Sequence, residues 1–166
     1  MEKQWYVLYV KSRSEKKLKS KFDTSDIEAY LPLKVDYRRW SDRVKKVHVP
    51  LFPSYVFVRI SAAEVPDIYR FSEIVSVVKT GNNYACLSDE GIISIKRFEE
   101  SGMLLEIGKE PLGMGEAVEI IAGPLVGMKG VLIEKAGHSR FVLRLDVLDQ
   151  VIKVQLPSYQ LKKINR

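Results

Sequence analysis

The most constraining stretch of this sequence is Tyr55-Val56-Phe57-Val58-Arg59-Ile60. Side chains alternate sides along an extended strand, so Tyr55 and Phe57 share one face while Val56, Val58 and Ile60 share the other. Both faces are apolar, and such a strand belongs in a sheet that is covered on both sides. Trp5-Tyr6-Val7-Leu8-Tyr9-Val10 has the same character, with Trp5, Val7 and Tyr9 on one face. A few helices can cover one face of such a sheet. The other is covered by loops, by the rest of the chain or by a partner molecule, and the pattern leaves these alternatives open.

Around these two strands the chain reads as α+β. Ser12 followed by Glu15 fits a capping box that opens a helix running to about Phe22, with Leu18 and Phe22 as its apolar stripe and Lys16, Lys17, Lys19 and Lys21 on its remaining surface. Lys34–Trp40 and Lys45–Pro50 flank Ser41-Asp42 as a hairpin. A short helix is expected over Ile68–Glu73 and a strand over Val75–Lys79, ended by Gly81-Asn82-Asn83. Ser88-Asp89-Glu90 starts a further helix, with Ile92, Ile95 and Phe98 as apolar positions and Gly102 at its end. Gly108, Pro111 and Gly113 interrupt the next stretch, which reads as a linker over 104–114. Beyond it the pattern is all strand: Ala117–Ile121, Met128–Lys135, Arg140–Val147 and Gln150–Leu156, separated by turns at Gly123-Pro124, Gly137-His138 and Leu148-Asp149. The expected organisation is an α+β domain over 1–103, in which helices flank an antiparallel sheet, and a small all-β barrel over 115–166.

Composition excludes several function classes. The single cysteine, Cys86, permits no internal disulfide, favours a cytosolic setting and reads as a small buried hydrophobe beside Ala85 and Leu87. With only His48 and His138 besides, a Cys/His zinc site is not expected. No apolar run approaches the roughly 18 residues of a membrane span, and the first residues lack the layout of a signal peptide. Adjacent carboxylates such as Asp89-Glu90 and Glu99-Glu100 do not converge on one point of a helix, and no nucleophile motif is present, so neither catalysis nor a cofactor is expected. The net charge of +6 is modest. In the segment Lys34–Lys46, six basic residues outnumber Asp36 and Asp42, and Tyr37 and Trp40 interleave the charges in a way that suits stacking on nucleic-acid bases. The lysines of the first helix read equally well as a solvated face.

Three segments, Trp5-Tyr6-Val7-Leu8-Tyr9, Ser14-Glu15-Lys16-Lys17-Leu18 and Pro50-Leu51-Phe52-Pro53-Ser54-Tyr55-Val56-Phe57-Val58, resemble the N-terminal domain of NusG-family transcription elongation factors. Gly115–Leu132, with Gly123, Pro124, Leu125, Gly127 and Gly130, resembles the KOW module that follows it in that family, which implies an SH3-like barrel for 115–166. These glycines also have a local reason, since a tight turn and a close strand approach at a barrel corner both favour glycine. The resemblance implies a non-enzymatic, monomeric, cytoplasmic factor that sits on the clamp helices of RNA polymerase and reaches the non-template DNA strand, associating with the nucleoid during transcription. It places the polymerase contact on Tyr9, Tyr55 and Phe57, with Val77 and Val78, and the nucleic-acid contact on Lys11, Arg13, Lys16, Arg38, Arg39, Arg43 and Arg70. It also implies a small-subunit ribosomal protein as partner of the KOW module. General members carry Gly where Ser54 stands, a non-aromatic residue where Phe57 stands, and Phe in the loop that holds Leu125 and Met128 and serves Rho contact. The chain therefore resembles specialised RfaH-type antitermination paralogues more than housekeeping members, and Rho is not expected as a partner.

Overall fold

The computed structural model describes residues 2–109, 115–135 and 138–164, which divide between Ile93 and Ser94 into two units. The first unit runs β1 (Lys3–Val10), α1 (Glu15–Thr24), β2 (Ala29–Tyr30), β3 (Leu33–Arg39), β4 (Val44–Pro50), β5 (Tyr55–Ser61), β6 (Ile74–Val77), β7 (Lys79–Thr80), β8 (Asn83–Tyr84), β9 (Cys86–Leu87) and the start of α2 (Asp89–Glu100). β1 is its axis. It pairs antiparallel with β5 in unbroken register from Lys3↔Ser61 to Tyr9↔Tyr55, and its other edge takes β6 and β9 in succession. β2 lies outside β5. β3 and β4 form a separate two-stranded ribbon, as do β7 and β8 across Gly81, whose φ of +62° suits a residue without Cβ.

One face of the main sheet is the core. Tyr6, Leu8 and Val10 of β1 and Val56, Val58 and Ile60 of β5 pack with Leu18 and Phe22 of α1 and with Ile68, Phe71 and Ile74. Each such side chain stabilises by about 1.5–3 kcal/mol on leaving water. The helix begins at Glu15 with Ser14 as cap, not at Ser12, because Arg13 turns the chain at φ +62°. Glu15 does not reach back to a cap. Its buried carboxylate instead accepts the Ser54 N–H at 2.7 Å. The capping box lies at Ser61, whose N–H and hydroxyl both donate to Glu64 at 2.8 and 2.7 Å. Those bonds, the backbone one foremost, hold the Glu64 carboxyl below its usual range. In place of the short helix expected over 68–73 there is a 3-10 turn at Pro66–Arg70, which Pro66 opens, and a second one precedes it at Ala62–Glu64.

The second unit contains the remainder of α2, β10 (Leu105–Gly108), β11 (Glu116–Ile120), β12 (Lys129–Lys135), β13 (His138–Leu145), β14 (Gln150–Gln155) and β15 (Leu161–Lys163). They form one antiparallel sheet in the order β10-β14-β13-β12-β11-β15. The stretch read as linker therefore contributes a strand. Leu105 and Ile107 give it a period-two apolar pattern that the flanking glycine and proline residues mask, and Leu105↔Val154 through Gly108↔Val151 sets its register. Residues 110–114 and Gly137 lie outside the described residues. Of the glycines in the Gly123–Gly130 turn, Gly123 and Gly127 have φ of +89° and +86°. Gly130 serves a different need: a Cβ there would stand 2.5 Å from the Phe141 ring and 2.6 Å from the Val142 carbonyl.

Candidate functional site

The outer face of the main sheet is a ladder of cross-strand pairs: Tyr9 opposite Tyr55, Val7 opposite Phe57, Trp5 opposite Arg59. Only the first rung is open. Tyr9 is 42% exposed and its ring centroid lies 5.6 Å from that of the half-buried Tyr55. Phe57, expected at the contact surface, is 0% exposed. Phe52 meets its ring edge-on and Tyr30 stacks on it, each at 6.2 Å, so the loop before β5 folds over the middle of the face. At the last rung the Trp5 indole N–H donates to Asp89 at 2.9 Å, and Arg59 sits between Glu28 and Asp89.

Val77 lines a depression beside Tyr9 and Tyr55 but is buried. It pairs with Leu8 and belongs to the core face. Val78 is half-buried and stays beside the open rung, where its N–H donates to the Val7 carbonyl at 2.8 Å. Tyr69, which sequence reasoning missed, completes the patch: its hydroxyl accepts the Val77 N–H at 3.2 Å, and its ring is 48% exposed. Tyr9, Tyr55, Tyr69, Val78 and Lys79 line one shallow open depression. Three phenol rings in one depression supply large contact area at low entropic cost, which suits a protein partner. No local pattern marks Tyr69, because it reaches the patch from a 3-10 turn that has no face to read.

The expected nucleic-acid residues fall into separate places. Arg13, Lys16, Lys34 and Arg38 line a groove between the start of α1 and the β3–β4 ribbon. Lys16 bridges that groove, donating to the His48 carbonyl at 2.5 Å. On the ribbon, side chains alternate, so Arg38 shares a face with Lys34 and Lys45, while Arg39 shares the opposite face with Tyr37 and Lys46. Arg43 sits in the turn, where its carbonyl accepts the Trp40 N–H at 2.8 Å. Tyr37 and Trp40 are 65% and 58% exposed. Lys11 is exposed near Glu73, whose carbonyl accepts its N–H, and Arg70 lies over the Phe71 ring at 5.1 Å.

The other lysines of α1 are engaged within the fold. Lys17 and Lys21 converge on the buried carboxylate of Glu73 at 3.1 and 2.7 Å, and Lys19 pairs with Asp23. The Lys21 hydrogen bond foremost, then a backbone hydrogen bond and that of Lys17, hold the Glu73 carboxyl down to about 2 against the opposing effect of burial. Cys86 is half-buried at the β9 edge, not fully covered, and burial raises its thiol pKa. In the second unit, Leu125 and Met128 are buried, leaving Val126 as the exposed apolar residue of the Gly123–Gly130 turn. Arg97 donates to the Pro124 and Val126 carbonyls and fixes that turn. Among the described residues no group of His, Cys, Asp or Glu could hold a metal ion, and no helix is long and apolar enough to cross a membrane.

Comparison with curated protein sequences finds no match. Among solved structures, one described as domain interaction in Thermotoga maritima NusG matches with a TM-score of 0.59 and 22% sequence identity, covering 99% of each chain. At that identity the likeness speaks for the fold. The family model for transcription termination factor nusG matches residues 3–96, which hold β1, the covered aromatic ladder and the β3–β4 ribbon. With more than half of its length matched by that model, the chain belongs to the NusG family of non-enzymatic, RNA polymerase-binding transcription factors.

Proposed function

We propose that the chain is an elongation and antitermination factor that docks its first unit on the clamp helices of RNA polymerase and suppresses pausing and termination at selected operons. The observation that carries this reading is the open tyrosine depression of Tyr9, Tyr55 and Tyr69 at the end of an otherwise covered sheet face. It offers aromatic anchors of the kind that dominate interface energetics. The exposed basic ribbon with Tyr37 and Trp40 then holds the non-template DNA strand through phosphate contacts and base stacking. The specialised, RfaH-type role is supported by Ser54 and by the Gly123–Gly130 turn, which has no aromatic residue where general members carry the Phe that serves Rho contact.

The test is pause lifetime on purified elongation complexes. The wild type shortens pauses, and the Tyr9→Ala/Tyr55→Ala/Tyr69→Ala variant does not, while both melt at similar temperatures. A wild type without effect on pausing, or a triple variant that acts like the wild type, would refute the docking assignment. Chromatin occupancy separates the two roles within the family: a few loci support the specialised role, and even coverage of all genes overturns it in favour of a housekeeping one.

A further inference from the structure

Glu73 stands in the turn before β6 with its side chain 3% exposed, and its carbonyl accepts the Lys11 N–H at 2.9 Å. Lys17 and Lys21, four residues apart on one side of α1, both reach the same carboxylate oxygen, Oε1. Their side chains are nevertheless 68% and 42% exposed, so each ammonium group lies within reach of a solute. The carboxylate that steadies the helix therefore also occupies two accessible cations. Held down to about 2, it stays ionised through the neutral range and keeps its hold on both lysines there. Arg70 adjoins the same cluster: its guanidinium lies over the Phe71 ring, which meets Phe22 of α1 edge-on at 4.9 Å. One carboxylate thus stands among Lys11, Lys17, Lys21 and Arg70.

We propose, building on the reading of the β3–β4 ribbon as the strand-holding surface, that Glu73 is a specificity-determining residue for nucleic-acid binding. It withholds Lys17 and Lys21 from phosphate groups and leaves the strand to the ribbon. Lysines bind phosphates of any sequence, and each phosphate neutralised adds affinity without adding discrimination. Freed of Glu73, this side of α1 would offer four cationic residues to any strand in any register. The ribbon differs, since Tyr37 and Trp40 stand exposed among its arginines and add base stacking to the phosphate contacts. A built-in carboxylate is an effective competitor for the lysines. It is held in place by the fold, so its contact carries no entropic cost of association, and a phosphate must displace it before using either ammonium group. What Glu73 keeps off α1 is thus the nucleic-acid backbone.

The test is a salt titration of the full chain against a mixed-sequence single-stranded oligonucleotide of about 20 nucleotides. Glu73→Gln and Glu73→Met should bind it several-fold tighter than the wild type does. The slope of log affinity against log salt should steepen by about 1.4, roughly 0.7 for each of two phosphates newly neutralised. Glu73→Gln/Lys17→Gln/Lys21→Gln should return the slope to the wild-type value. Asp67→Asn, at an exposed position, makes the same change in net charge without freeing a lysine and should leave the slope alone. Amine-reactive footprinting adds a readout that a purely structural role would not move: the oligonucleotide should shield Lys17 and Lys21 in the Glu73 variants and not in the wild type. Wild-type slopes in both Glu73 variants, or equal steepening by Asp67→Asn, would overturn the proposal. Shielding of Lys17 and Lys21 in the wild type overturns it even where neither Glu73 variant folds. Failure of the ribbon reading shows separately, as a wild-type slope that Arg38→Ala/Arg39→Ala/Arg43→Ala does not lower.

Discussion

The helix α1 and the β3–β4 ribbon carry similar runs of positive charge and put them to opposite uses. On the helix, Lys16 holds the His48 carbonyl, Lys17 and Lys21 share Glu73, and Lys19 holds Asp23. On the ribbon, Arg38 lies 3.9 Å from Asp36, and among the described residues no ion pair engages Arg39, Arg43, Lys45 or Lys46. The difference comes from what the fold delivers. Glu73 stands beside the helix because β6 pairs with the end of β1 at Val10↔Ile74, whereas among the described residues the ribbon's only ion pair is with its own Asp36. A basic run becomes a binding surface when the fold leaves its charges without counterions, and local sequence does not contain that information.

The largest expected effect that could break this contrast is on nucleic-acid affinity. Replacing Arg38, Arg39 and Arg43 by alanine should weaken single-stranded DNA binding by more than about tenfold. It should also lower the slope of log affinity against log salt by about 2, since each phosphate that is no longer neutralised removes roughly 0.7 from that slope. The Lys17→Ala/Lys19→Ala/Lys21→Ala variant should leave the slope unchanged in the same titration. If both sets change the slope alike, the contrast is wrong.

Stability should respond in the reverse sense. Glu73→Ala removes the acceptor of two charged hydrogen bonds and should cost about 1.5–3 kcal/mol in denaturant unfolding, whereas the three ribbon substitutions should stay within about 0.5 kcal/mol of wild type. Acid unfolding sharpens the same point. Because the Glu73 carboxyl is held down to about 2 from its ordinary 4.5, its contribution is complete above the ordinary carboxylate range and is lost as pH falls toward 2. Lys17→Gln/Lys21→Gln should therefore move the acid midpoint to higher pH, as followed by circular dichroism. The smallest effect concerns the helix's other buried carboxylate. Ser54 holds φ +67°, a conformation that costs a non-glycine residue about 1–2 kcal/mol, while its N–H remains bonded to Glu15. Ser54→Gly should raise the melting temperature by a few degrees, and a lowered one would show that the hydroxyl matters more than the backbone.

Much of the fold was legible in the sequence because it rests on local patterns. The doubly apolar strands became the two central strands, and Leu18 and Phe22 form the helix stripe that covers one face. The site was less legible. Alternation correctly placed Phe57 on the face of Tyr9 and Tyr55, but exposure depends on Phe52 and Tyr30, which arrive from elsewhere. Val77 lines the depression yet is buried, because its pairing with Leu8 puts it among the core residues. Ser61-Ala62-Ala63-Glu64 carried a capping signature as clear as the one sought at Ser12, and it was overlooked between a strand and a proline. The β10 strand was hidden because glycine and proline near it suggested a break, while its own pattern is only four residues long.

The position of β1 at the axis of the first sheet governs how the chain emerges from a ribosome. β1 is made first, yet its partners are β5, β6 and β9, the last ending at Leu87. At about 5–20 residues per second, synthesis of the intervening 77 residues takes ~4–15 s. Until β5 is complete at Ser61, Trp5, Tyr6, Val7 and Leu8 have no strand to pair with, and until β9 is complete at Leu87 their other edge stays partly open to mispairing. The nascent first unit is thus open to mispairing for longer than β12, β13 and β14, which pair with their neighbours almost as soon as they are made.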